Sequence, residues 1–144
     1  TGGMIQGTLT NTQGLGSAFQ KLIVSQKFQA LLQREILGAY QTEGFVSGFA
    51  ARNALELTQT LVPMEKWKRD ALTEILDSWA QLLESALTCR AGGAAVSSHA
   101  RNLATSRSSP ELLAALEAVR KAREYALGNV SPAAVCGWLA WKLR

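Results

Sequence analysis

A single histidine, His99, occurs in the 144 residues. Any triad or metal site that needs two histidines is therefore excluded. His99 sits in a polar Ser97-Ser98-His99 stretch and reads as a solvated side chain. Cysteine is almost as scarce. Cys89 and Cys136 lie far apart and neither has a CxxC partner, which argues against zinc and suits a reducing cytoplasm. Cys136 falls in an apolar run and reads as a small core residue. No GxxxxGK[ST] loop is present, and Gly2-Gly3 and Gly92-Gly93 are too short to cradle phosphate. They read as a chain end and a helix stop. No apolar run approaches the roughly 18–20 residues of a membrane-spanning helix. Thr1-Gly2-Gly3 carries no basic segment and no apolar stretch follows, so no secretory signal is read there. Those three residues precede the first methionine, Met4, which fits either a piece of a longer protein or a remnant of a purification tag.

The charge excess is small: 15 basic against 11 acidic residues, a net +4. It is also dispersed. Lys66-Lys68-Arg69 and Arg120-Lys121-Arg123 are the local clusters, and Glu65, Asp70, Glu117 and Glu124 interrupt or flank them. Such clusters read first as solvated helix faces, and second as nucleic-acid contacts, which usually need a longer basic stripe. Glu65, Asp70, Glu74, Asp77 and Glu84 form a solubilising face. Glu74 and Asp77 are three apart, so they could share a face and hold a metal, though the solubilising face is the favoured reading. No cofactor is expected.

What the chain has in abundance is helical periodicity. After Pro63, Trp67, Ala71, Leu72, Ile75, Leu76, Trp79, Leu82, Leu83, Ala86 and Leu87 recur at three- and four-residue steps. That pattern predicts an amphipathic helix of about seven turns, stopped by Gly92-Gly93. Ser109, Pro110 and Glu111 predict the start of a second strong helix running to Leu127, with Ser109 as N-cap. Ser131-Pro132 repeats the signal for a last helix carrying Val135, Trp138, Leu139 and Leu143, with Trp141 off the stripe. Ala94–Ala104 is expected to be a shorter helix with Val96, Ala100 and Leu103 inward, followed by a polar loop over 105–108. In the first half, Gly3–Thr12 predicts a short helix and Gly14-Leu15-Gly16 a break. Ser17–Tyr40 predicts either one helix or two with a break near Ser25, and Thr42–Leu61 another, weakened by Gly44 and Gly48. Period-two alternation and Asn-Gly or Asp-Gly turns are missing, so no sheet is read. The expected fold is all-α, a bundle or array of six to seven helices.

Four tryptophans are many for a small helical domain. Trp67 and Trp79 belong to the apolar face of the long helix, whereas Trp138 and Trp141 close the chain in Trp138-Leu139-Ala140-Trp141-Lys142-Leu143-Arg144. A bare end of this kind is adhesive, and large aromatics are enriched at protein interfaces. Trp138, Trp141, Leu143 and Tyr125 are the candidate interface residues.

Three stretches from Met64 onward carry a family resemblance. They are Met64–Leu72 continuing through Trp79–Leu87, then Leu116–Leu127, then Asn129-Val130-Ser131-Pro132-Ala133-Ala134-Val135 with Trp138-Leu139. In order and spacing they resemble the C-terminal collar domain of the delta-prime subunits of bacterial DNA polymerase III. Two departures stand out. Ala80-Gln81 replaces an Arg-Asp usual near the C-terminal third of the long helix, and Ser131 stands where Asn is common. Gly2–Leu9 is similar to the glycine-rich entry to the last lid helix of clamp-loader ATPases, with one residue extra.

The resemblance implies an end of an AAA+ lid over 1–14 and a collar over 15–144. It implies a non-catalytic oligomerisation domain of a cytoplasmic clamp loader, with no nucleotide-binding domain in this chain. Partners would be other clamp-loader subunits; DNA would be met only indirectly, and no membrane or small-molecule substrate is implied. The alternatives are a helical nucleic-acid-binding module using Lys66, Lys68, Arg69, Arg120, Lys121 and Arg123, and a helical ligand-binding protein or small carboxylate enzyme with a cavity lined by Trp67, Trp79 and Phe49.

Overall fold

Residues 12–94 and 97–144 are described by a computed structural model, with side-chain surroundings given from residue 26. The helix expected over Gly3–Thr12, the lid likeness and Val96 lie outside the described residues, apart from Thr12 itself. Six α-helices and one 3-10 turn follow in order: α1 (Thr12–Ala50), α2 (Ala54–Leu61), the 3-10 turn (Val62–Lys66), α3 (Arg69–Arg90), α4 (Ser98–Ser106), α5 (Ser109–Leu127) and α6 (Pro132–Lys142). No strand occurs among the described residues, and the protein is all-helical there. No helix among them is long and apolar enough to cross a membrane.

The first half differs from expectation. α1 runs through Gly14, Gly16, Ser25 and Gln41 without a break. An internal glycine costs a helix only about 1 kcal/mol, which the surrounding turns can absorb. The actual break comes at Ala51–Asn53. Arg52 takes a left-handed conformation at φ 58°, and the Asn53 side chain accepts the backbone N–H of Glu56 to start α2. Gly44 and Gly48 have a packing role: a Cβ at Gly44 would collide with the Thr60 hydroxyl, and one at Gly48 would lie 3.1 Å from the Leu57 side chain and backbone nitrogen. The two glycines therefore let α2 lie close against α1.

Boundaries in the second half shift by up to five residues. Pro63 opens the 3-10 turn and Lys68 is extended, so α3 begins at Arg69 and Trp67 precedes it. Gly92, at φ 101°, ends α3 as expected. α4 reaches Ser106, past the expected start of the loop. The N-cap of α5 is Ser108, one residue early: its hydroxyl accepts the Glu111 N–H and the Glu111 carboxylate accepts the Ser108 N–H, a reciprocal capping box.

The chain divides into two units, one ending at Leu37 and one covering Gly38–Arg144. In the first, α1 leaves Phe28, Leu31, Leu32, Ile36 and Leu37 exposed. In the second, α3 packs on α5 and α4, and α6 packs on the 3-10 turn, α5 and α2. At its centre the Trp79 ring stacks on Phe45 at 4.4 Å and Phe45 on Phe49 at 5.9 Å. The indole N–H of Trp79 donates to Thr42 Oγ1 at 2.9 Å, which satisfies the polar atom of a fully buried ring. Leu72, Leu76, Leu83, Leu103, Leu112, Val119, Val135, Cys136 and Leu139 complete this core. Burial, together with the field of Glu65, pushes the Cys136 thiol up to about 12.

Candidate interaction surfaces

Three arginines of the second unit, Arg69, Arg90 and Arg107, close helices. The last carbonyls of an α-helix lack intrahelical partners and carry partial negative charge, so a guanidinium is favoured there. Arg69 donates to the carbonyls of Ala126 and Val130 at the end of α5. Arg90 donates to Ala104 O in the last turn of α4 at 2.8 Å. Arg107 is buried and donates through Nε to Phe49 O in the last turn of α1 at 2.8 Å. Its guanidinium also lies 4.1 Å over the Phe49 ring and donates to Glu111 at 2.8 Å. Glu111 receives Arg52 as well, at 2.9 Å. These donors, Arg52 foremost and then the Ser108 N–H, hold the Glu111 carboxyl far below the usual carboxylate range and raise Arg52. Sequence reasoning placed Arg107 in a polar loop. The Ser108-Ser109-Pro110-Glu111 spacing was the available signal for this cluster.

Four of the six basic residues considered for nucleic acid have protein partners. Arg69 is the helix-end donor just described. Arg120 pairs with Glu84 at 2.9 Å and Arg123 stands 3.8 Å from Asp77, so both turn from α5 toward α3. Lys121 pairs with Glu124 at 3.4 Å. Lys66 and Lys68 are exposed. Glu74 and Asp77 belong to no metal-holding group: among the described residues no three His, Cys, Asp or Glu side chains cluster that way.

The chain-end aromatics separate by burial. Leu143 is buried in the core. It caps α6 through its N–H to Leu139 O and sits on the inward side of that helix. Tyr125 and Trp138 are half-buried and meet edge to face at 5.2 Å. Trp141 is 59% exposed. Trp79 and Phe49, two of the three residues considered for a cavity lining, are buried and packed on either side of Phe45. A shallow cleft of about 400 Å³ lies elsewhere, between α1 and α4, lined by Glu43, Val46, Ser47, Ala50, His99 and Asn102 among others. His99 is half-buried on its wall.

Comparison with protein-family models, with curated proteins and with solved structures gives no match to this chain.

Proposed function

We propose that this chain is a non-catalytic oligomerisation domain of a clamp-loader subunit of the delta-prime type, helping to assemble the cytoplasmic complex that loads the sliding clamp on DNA. The resemblance over Met64–Arg144 supplies the family. The observation that carries the oligomerisation reading is the row of Phe28, Leu31, Leu32, Ile36 and Leu37, five large apolar side chains exposed within ten residues of α1. Water contact on such a row costs on the order of 25 cal/mol per Å² of apolar surface, so a protein partner is the natural cover. The exposed Trp141 ring is a second anchor of the same kind.

The test is reconstitution with the clamp-loader ATPase subunits of the same organism, followed by sedimentation velocity. A stable hetero-oligomer is expected at micromolar concentrations. Ile36→Asp should abolish it while far-UV circular dichroism is preserved, and Trp141→Ala should weaken it more than it lowers stability. Separate sedimentation of the unaltered chain and those subunits would refute the assignment.

A further inference from the structure

Helices α5 and α6 share a row of three aromatic rings with two lysine ammonium groups over them. Lys121 Nζ stands 5.5 Å from the centre of the Tyr125 ring. Tyr125 meets Trp138 edge to face, with the ring planes at 83°. Lys142 Nζ then lies 5.8 Å from the Trp138 ring and 4.9 Å from the Trp141 ring. Each ring face draws a cation through its quadrupole, and this holds two flexible lysines in place. Acids of the neighbouring elements include Glu65 on the 3-10 turn, whose field reaches Cys136, and Glu117, one turn before Lys121 on α5. α6 has none, and neither does any of the twenty residues after Glu124. Glu124 itself is paired with Lys121 and largely exposed.

We infer that this α5–α6 surface docks an acidic segment of another protein, one in which carboxylates flank an apolar side chain. The proposal rests on the reading of the chain end as a contact surface and adds the chemistry of what it contacts. Its carboxylates would take Lys121 and Lys142, whose ammonium groups stay partly solvated over the rings. Its apolar side chain would cover Trp141. Single-stranded nucleic acid fits less well. Base stacking needs several open ring faces, and here Tyr125 and Trp138 are half-buried against each other with lysine ammonium groups over them, which leaves Trp141 alone well exposed.

The experiment is fluorescence anisotropy with the full chain and three labelled probes: a short peptide with Leu-Phe flanked by glutamates, its glutamine counterpart, and oligo(dT). The glutamate peptide should bind, lose affinity with added salt, and exceed the other two. Lys121→Glu and Lys142→Glu should each weaken it about tenfold, as should Trp141→Ala, while Lys142→Arg retains binding. Circular dichroism checks that each variant is folded. No binding of the glutamate peptide, equal binding of its glutamine counterpart, indifference to charge reversal, or preference for oligo(dT) would each overturn the inference. Peptide binding without assembly on clamp-loader subunits removes the collar assignment and leaves this surface. Assembly without peptide binding does the reverse.

Discussion

Arg107 offers the sharpest test of how the second unit is held together. Its side chain is 8% exposed, donates to Phe49 O at 2.8 Å, and stacks on the same residue's ring at 4.1 Å. A hydrogen bond from a charged donor contributes about 1.5–3 kcal/mol, and removing the donor leaves the last-turn carbonyl of α1 without it. The desolvated cation–ring contact adds about 1 kcal/mol or more. Arg107→Ala should therefore cost about 2–4 kcal/mol, read from urea unfolding by far-UV circular dichroism. Arg107→Met keeps an apolar stem near Phe49 and removes the donor, so its cost should approach the hydrogen-bond share alone. Arg52→Ala is the control. Arg52 meets the same Glu111 carboxylate but is exposed, so its loss should cost distinctly less. Equal losses for Arg107→Ala and Arg52→Ala, or an Arg107→Ala variant as stable as the parent, would refute the view that a buried arginine ties α1 to the start of α5.

Gly44→Ala should destabilise by about 1–3 kcal/mol, because the new methyl group meets the Thr60 side chain on α2, whereas Gly38→Ala, with open space around it, should stabilise by up to about 1 kcal/mol in thermal melts. On acidification, Glu111 should contribute a loss of stability. Its folded pKa lies below its unfolded value, so the contribution is full above the ordinary carboxylate range and falls away as pH drops below it; Glu111→Gln should flatten that part of the stability–pH curve. The two thiols should react with a disulfide reagent at mildly alkaline pH in two phases, half-buried Cys89 first and Cys136 only on unfolding. Two equally fast thiols would contradict the buried placement of Cys136.

The helices from Arg69 onward were legible because each kept one apolar stripe and carried local stop signals. Gly92 ended α3 and Ser131-Pro132 began α6 where the sequence placed them. The first half was misread for a physical reason. Glycine lowers helix propensity wherever it stands, but only tertiary context decides whether it breaks a helix or admits a neighbour. Gly44 and Gly48 admit α2, while the real break fell on Arg52, a residue type that gives no sign of a left-handed turn. Leu143 is buried with Val135 and Leu139, on the stripe where the helical spacing put it.

The charges show a different kind of limit. A basic residue has the same letter in the sequence whether it faces solvent or closes a helix end. Arg69, Arg90 and Arg107 are occupied with backbone carbonyls, and Arg120 and Arg123 face the acids of α3. Three of these arginines thus stabilise helix ends, and the other two are offset by acids in exposed pairs, so their part of the nominal +4 contributes less to an outward field. The lysines are distributed otherwise. Lys66 and Lys68 are exposed, and Lys121 and Lys142 lie over aromatic rings at the α5–α6 surface. Lys142 thus stands beside the ring of Trp141 in a stretch of sequence free of acid. Charge and apolar surface coincide there, and that coincidence, more than the total charge, is what a selective acidic partner would read.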